Sequence, residues 1–135
     1  MTGLIYYSTE RFSLTTGQIK DLDLNVETSY VTCNYSRGGG RIARLNLGRG
    51  FADGHRKVII LSSIAQNALV QLYCDFVAPD TVDPVVFVFH EAGQSANLQW
   101  DSVMSKWLIV GSGCEVLTRD ELRDPNWIQN LGIDD

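Results

Sequence analysis

Two tryptophan-bearing strands joined by a short turn, near Asp101 to Ser105, constrain the fold of this chain more than any other segment. Residues 96–110 read Ala-Asn-Leu-Gln-Trp-Asp-Ser-Val-Met-Ser-Lys-Trp-Leu-Ile-Val. Leu98 and Trp100 alternate with polar residues before the turn, and Trp107 and Ile109 resume the alternation after it. A period of two is typical of strands with one buried face. The segment therefore predicts a β-hairpin whose tryptophans pack against the body of the protein.

Further runs of β-forming residues, each bounded by turn residues, recur along the chain. They occupy residues 30–35, 41–47, 56–62, 67–77 and 85–90. The run at 56–62 is apolar and short, which predicts a strand buried on both sides. Strands of this length and spacing predict an all-β fold, an antiparallel β-sandwich or barrel of jelly-roll-like type.

The two ends of the chain differ from this strand-rich middle. We predict an extended N-terminal arm with one or two short strands, a β-domain and a C-terminal helical tail, at residues 1–28, 29–116 and 117–135. Thr118 followed by Glu121 is a capping box, which marks the start of a helix. Pro125 limits that helix to about two turns, and we expect Trp127 to dock against the body.

Composition restricts the class of protein. A chain of 135 residues with 44% hydrophobic and 20% charged residues is the size and make-up of one ordered domain. Cys33, Cys74 and Cys114 are far apart in sequence and form no CxxC motif, which indicates free thiols in a reducing compartment. The sequence shows no cleavable signal peptide and no apolar run of the roughly 18 residues that cross a bilayer. We expect a soluble protein.

The sequence contains no convincing arrangement for catalysis or metal binding. His55 and His90 do not lie at metal-ligand spacing with each other or with the cysteines. Gly111-Ser112-Gly113 is not a G-x-S-x-G nucleophile elbow, and the glycine clusters near residues 38–40 and 48–50 are flanked by predicted strands rather than by a strand and a helix. We predict that the protein is not an enzyme and has no cofactor and no metal site.

Basic residues are concentrated in the middle of an otherwise acidic chain. The formal net charge is -5, which argues against generic nucleic-acid binding. The arginines concerned, which are candidates for a protein interface, are Arg37, Arg41, Arg44, Arg49 and Arg56. Guanidinium groups suit both carboxylates and phosphates. A protein-contact surface is the preferred interpretation, and a nucleic-acid-binding β-barrel that uses Arg37 to Lys57 is an alternative.

The three tryptophans also admit two interpretations. Trp100, Trp107 and Trp127 are candidates for core or interface anchors, because tryptophan at alternating strand positions is usually packed. If Trp100 and Trp107 were exposed, they would instead form a carbohydrate-stacking platform. A carbohydrate-binding β-sandwich module is therefore the other alternative function.

Residues 54–111 resemble a module of virion proteins from tailed phages and large DNA viruses, including tail-fibre, head-fibre and capsid-decoration components. The resemblance rests on an opening glycine turn with an apolar strand, Gly54-His55-Arg56-Lys57-Val58-Ile59-Ile60-Leu61, and on the glycine-led strand from Gly93 to Asp101. A closing tryptophan strand, Ser105 to Gly111, completes it. Residues 1–53 lie outside the match, and the segment from Pro79 to His90 is longer and more aromatic than the pattern.

The resemblance implies a non-enzymatic homo-oligomer, often a trimer, with no cofactor. From it we predict a virion structural protein, such as a capsid decoration (cement) protein, a minor capsid protein or a fibre component. Its partners would be other virion or capsid proteins, and it would be made in the host cytoplasm and located in the virion. We expect neither a membrane nor nucleic acid among the partners.

Overall fold

The computed structural model describes residues 8–77 and 85–133, which form two five-stranded sheets packed face to face. The predicted all-β sandwich is confirmed. The strands, in chain order, are β1 (Thr9–Thr15), β2 (Ile19–Asp21), β3 (Thr28–Asn34), β4 (Ile42–Leu47), β5 (Arg56–Ile64), β6 (Leu69–Cys74), β7 (Val85–Phe89), β8 (Ser95–Asp101), β9 (Lys106–Ser112) and β10 (Glu115–Thr118). The sequence also predicts a loop from Pro79 to Pro84, and this loop lies outside the described residues.

The first six strands alternate between the two sheets. The first sheet has the order β1-β3-β5-β8-β9, and the second has the order β10-β7-β6-β4-β2. After each of these strands the chain crosses to the opposite sheet. The next strand but one then lies beside the first and runs in the same direction. As a result β1, β3 and β5 pair in parallel, and so do β2, β4 and β6. This differs from the antiparallel, jelly-roll-like pairing that the strand spacing suggested.

The turns between these crossing strands stack on one another. Gly17 ends the turn after β1, and Gly39 lies in a short 3-10 helix, Arg37–Gly39, after β3. A side chain at Gly39 would place its Cβ 2.0 Å from the Thr16 carbonyl oxygen. Only glycine permits this close approach of two backbones. The predicted glycine turn is thus also a packing contact between successive turns of the chain.

The second half of the sandwich is antiparallel. β8 pairs with β5 and with β9 in the first sheet, while β7 pairs with β6 and with β10 in the second. The predicted tryptophan hairpin is confirmed as β8 and β9, and Trp100 lies opposite Trp107. The three segments that carry the virion-module resemblance, β5, β8 and β9, are neighbours in one sheet.

The predicted N-terminal arm contains two strands of the sandwich. β1 forms the edge of the first sheet beside β3, and β2 forms the edge of the second beside β4. Leu14 and Leu22 are buried in the core, so burial of apolar surface holds this part of the chain to the body. An extended arm is therefore not observed for residues 8–28, and residues 1–7 lie outside the described residues.

A core of side chains from both inner faces fills the space between the sheets. The largest completely buried apolar members are Trp107, Phe87, Phe89, Leu45, Ile59, Leu61, Leu72 and Leu98. Each such side chain stabilises the fold by about 2 kcal/mol relative to exposure. Their alternation with exposed or half-buried residues is clear in β3 and β4.

The C-terminal tail covers part of the outer face of the second sheet. It contains α1 (Arg119–Leu122) and α2 (Trp127–Asn130), and the predicted capping box of Thr118 and Glu121 is present. Trp127 docks as predicted, in a cluster that buries Val86 and Val88 of β7. Of the helices in the part of the chain that the structure describes, none is long and apolar enough to cross a membrane.

One prediction about burial is wrong. The segment 56–62 was predicted to be buried on both sides, but Val58 and Ile60 on its outer face are only half-buried. β7 is a strand with two buried faces, because Phe87 and Phe89 face the core while the tail covers Val86 and Val88. Most of β6 is also buried on both faces.

Candidate functional site

The tryptophans of the hairpin are core residues. Trp107 is completely buried, Trp100 is 4% exposed, and their rings meet edge to face with centroids 5.3 Å apart. The Trp107 indole Nε1 donates a hydrogen bond of 2.8 Å to the Gly48 carbonyl oxygen. The prediction that these two residues are core anchors is confirmed. Neither side chain presents an exposed face for a sugar or for another protein, because both lie between the sheets.

Trp127 has a different environment. It is half-buried and packs with Leu122 and Leu131 against the outer face of the second sheet. Leu117, Trp127 and Leu131, together with Asp120, Asp124 and Asn130, line a shallow cavity of about 390 Å³. The contacts of Trp127 hold the tail against the sheet. The role of Trp127 as an interface anchor stays a prediction.

The five arginines do not form one basic face. Arg37 and Arg41 lie near the end of the sandwich where β3 leads into β4, while Arg49 and Arg56 lie at the opposite end. Arg44 is on the outer face of the second sheet, with its guanidinium carbon 3.7 Å from the centroid of the Tyr73 ring. A common surface for nucleic acid or protein is not assembled, because successive strands of this stretch belong to different sheets.

Lys57, the last residue of the predicted basic stretch, is completely buried. Its Nζ donates hydrogen bonds of 2.8 Å to the carbonyl oxygens of Asp23 and Val26 and to the Ser29 hydroxyl. Burial lowers the pKa of Lys57, and the carboxylates of Glu10 and Asp23 oppose that shift. The residue connects β5 to the segment between β2 and β3, a role visible in sequence only as a lysine in phase with Ile59 and Leu61.

An exposed apolar tip is present at the end of the sandwich that carries Arg49 and Arg56. We define this tip as Phe51, Val103 and Met104, which are 65%, 94% and 50% exposed. Large apolar side chains with such exposure are the usual signature of a contact surface when they are grouped. Sequence reasoning missed the tip because it assigned residues 48–54 and 101–105 only to turns.

Hydrogen bonds and ring contacts hold the two loops of the tip together. The Asp53 carboxylate accepts a hydrogen bond of 3.0 Å from the backbone of Ser102. Asp101 accepts hydrogen bonds from the backbone amides of Val103 and Met104. The Phe51 ring lies 4.5 Å from the His55 ring, centroid to centroid. The tip is thus presented on a pre-organised support, which lowers the entropic cost of binding.

His55 connects the tip to the core. Its ring also lies 5.4 Å from that of Trp107, so Phe51, His55 and Trp107 form a continuous aromatic contact. The His55 Nδ1 is buried without a hydrogen-bond partner among the described residues. This histidine is half-buried at the end of the turn that its backbone amide closes with the Ala52 carbonyl oxygen.

A second group of exposed apolar side chains lies on the last strands. Ile109 and Val110 of β9 are 37% and 55% exposed, and Val116 of β10 is also partly exposed. Leu98 pairs with Ile109 beside a bulge, and the side chain of Ile109 lies at the edge of the sheet. An edge strand with apolar side chains is suited to contact with another chain.

The cysteines and histidines form no site in the described part of the chain. Cys33, Cys74 and Cys114 are free thiols, as predicted. Burial raises the pKa of Cys33 and of Cys114 to about 11 and that of Cys74 to about 12, which keeps them protonated and unreactive near neutral pH. Within residues 8–77 and 85–133, no three His, Cys, Asp or Glu residues are grouped to hold a metal ion.

Comparison with known proteins does not assign the chain to a family. No protein-family model matches the sequence, and no curated protein matches it.

Proposed function

We propose that this chain is a structural protein of a virion, a decoration, minor capsid or fibre component, which acts through contacts with other proteins. The apolar tip is the observation that carries the proposal of protein contact. The side chain of Val103 is 94% exposed, so folding of the isolated chain removes almost none of its apolar surface from water. Contact with a partner protein would bury that surface. The assignment to a virion rests on the resemblance of residues 54–111.

The placement of the tip suits this role. β5, β8 and β9 carry the resemblance and also support the tip, since Met104 and Val103 lie in the turn of the β8–β9 hairpin. The support is anchored in the core through Trp100 and Trp107. A rigid β-body with an apolar tip is a geometry that inserts into a pocket of a neighbouring subunit or capsid protein.

The virion assignment is tested on purified particles of the virus whose genome carries this gene. Mass spectrometry of the particles is expected to detect the chain at a constant ratio to the major capsid protein. Absence from purified particles would overturn the assignment, and neighbouring genes for capsid, portal or tail proteins would support it.

The role of the tip is tested by binding of the purified full chain to particles that lack it. We expect Val103→Asp to weaken binding by about tenfold or more, because a charge replaces an apolar contact. Ile19→Asp is the matched control, since Ile19 is 66% exposed on β2 and outside the tip. Equal binding by the two variants would show that the tip is not the contact.

Oligomeric state is measured separately by native mass spectrometry of the full chain at micromolar concentration. The proposal expects a homo-oligomer or a complex with particles. A strict monomer that also fails to bind particles would overturn the proposed function.

A further inference from the structure

A groove with one polar wall, on the outer face of the second sheet, is independent of the tip and of the proposed function. It has a volume of about 450 Å³, within the usual range for small-molecule sites. The C-terminal tail covers β7 and β10 of this sheet, while the groove lies over β2, β4 and β6. The parallel pairing of these strands brings its residues together.

The register of the parallel strands aligns the polar wall of the groove. Asp21 of β2 lies opposite Asn46 of β4, and Asn46 lies opposite Tyr73 of β6. Asn46 Nδ2 donates a hydrogen bond of 3.0 Å to Asp21 Oδ1, and Asn46 Oδ1 accepts one of 2.8 Å from Arg44 Nε. Each planar side chain is therefore oriented by its neighbour before any ligand arrives.

Stacking fixes the arginine in the same way. The Arg44 guanidinium carbon is 3.7 Å from the centroid of the Tyr73 ring, and that of Arg119 is 5.1 Å from the same ring. Among the described residues, the second carboxylate oxygen of Asp21 and the terminal nitrogens of Arg44 make no hydrogen bond. The wall thus offers an acceptor and donors side by side.

Both signs of charge are present at the groove. Asp21, Asp75 and Arg44 line it. At its border, Arg119 forms an ion pair with Asp75, and the Arg49 guanidinium carbon is 5.5 Å from the centroid of the Phe76 ring. Because opposite charges lie side by side, the groove has no large field of one sign to attract an anion or a cation. It favours a neutral ligand that both donates and accepts hydrogen bonds.

The rest of the lining is apolar. Leu22, Leu24, Leu47 and Phe76 border the polar wall. A saccharide has hydroxyl groups that donate and accept, and C–H surfaces that pack against apolar side chains. We propose that the groove binds a neutral saccharide, whose adjacent hydroxyl groups contact the Asp21 carboxylate and the Arg44 guanidinium.

The experiment uses the full chain and saturation-transfer NMR with neutral oligosaccharides of hexoses and N-acetylhexosamines. Inorganic phosphate and a sulfated oligosaccharide serve as anionic probes. We expect at least one neutral saccharide to bind and to shift the backbone amide signals of β2 and β4. Binding only of the anionic probes, or of no probe, would overturn the proposal.

Two variants locate the binding. Asn46→Ala removes the side chain that orients both neighbours, and Asp21→Asn removes the carboxylate with little change in shape. Each is expected to weaken saccharide binding by about tenfold, the effect of losing one or two hydrogen bonds. Gln99→Ala is the control, since Gln99 is exposed on β8 of the other sheet. Unchanged binding in folded Asp21→Asn, or equal loss in Gln99→Ala, would contradict the site.

Discussion

The parallel half of the sandwich, β1 to β6, and the antiparallel half, β7 to β10, are built from different kinds of contact. In the antiparallel half, β8 and β9 follow one another through a turn of four residues, 102–105, and Trp100 meets Trp107. In the parallel half, Thr9 pairs with Thr28 and Ile42 with Leu69. The first kind of contact is local in sequence, and the second joins distant segments.

The difference also separates the two candidate sites. The apolar tip is built on a hairpin turn, so its residues are close in sequence except for Phe51. The saccharide groove draws Asp21, Asn46 and Tyr73 from three parallel strands. Parallel strands thus form a site from residues that are too far apart in sequence to belong to one short motif.

The largest expected effect is on the antiparallel half. Trp107→Ala removes a completely buried ring and its hydrogen bond to Gly48, and we expect the free energy of unfolding to fall by about 4 kcal/mol. Urea unfolding followed by circular dichroism measures this. Leu108→Ala, at the half-buried neighbouring position, is the control. We expect it to lower the free energy of unfolding by about 1 kcal/mol. A loss for Trp107→Ala no larger than the control would contradict the packing.

The parallel half depends on Lys57 in a comparable way. Lys57→Met leaves the carbonyl oxygens of Asp23 and Val26 without their donor, so we expect a loss of about 3 kcal/mol in unfolding free energy. Arg56→Met, an exposed neighbour, is expected to change it by less than about 0.5 kcal/mol. Similar stabilities of the two variants in chemical denaturation would show that the buried ammonium does not hold this segment.

The stacked turns of the parallel half provide a smaller effect with a close control. Gly39→Ala places a Cβ against the Thr16 carbonyl, whereas a Cβ at Gly38 meets nothing within 4 Å. We expect Gly39→Ala to lose about 2 kcal/mol through strain, and Gly38→Ala to lose none. Thermal unfolding of the pair measures the difference, and equal melting temperatures would contradict the stacking.

The smallest effect comes from the thiols and depends on pH. The pKa of Cys33 is raised from 9.0 to about 11, so between these values the unfolded chain has released a proton that the folded chain retains. Stability therefore falls as pH rises through this window, by about 1 kcal/mol at pH 10 for one thiol. Denaturation of the wild type and Cys33→Ala at pH 8 and pH 10 measures it. An equal fall in both proteins would contradict a buried thiol.

Lys57 acts in the opposite direction in the same experiment. Its pKa is lowered in the folded state, so its contribution to stability rises with pH between the folded value and the unfolded value of 10.5. Because this contribution is common to the wild type and Cys33→Ala, it cancels in their comparison.

The sequence predicted features that depend on local chemistry. Alternation identified β3, β4 and the tryptophan hairpin, and Thr118 with Glu121 identified the start of α1. β10 was not predicted, because the four residues Glu115–Thr118 are too few for a clear alternation. The sequence also predicted free cysteines, since no pair had disulfide or metal spacing.

For the candidate sites, the sequence identified residue types but not their neighbours. Arg44 was predicted as part of a basic surface and instead stacks on Tyr73, while Lys57 is buried. For Trp100 and Trp107, alternation is compatible with both a core position and an exposed platform, and only the packing of the two sheets places them in the core. The exposure of Val103 could not be read from the chain, because it depends on what covers a turn.

By itself, the sequence determined that this chain forms an all-β sandwich or barrel with a tryptophan hairpin, a capped helical tail and free thiols, because periodicity, caps and turns act over a few residues. Only the tertiary structure decided that the first six strands pair in parallel within each sheet, that Lys57 is buried and that Asp21, Asn46 and Tyr73 share one row. Parallel pairing joins residues separated by a full crossing between the sheets. The local pattern of apolar and polar residues does not specify which distant strand will be the neighbour. The packing of the whole domain therefore determines the strand pairing.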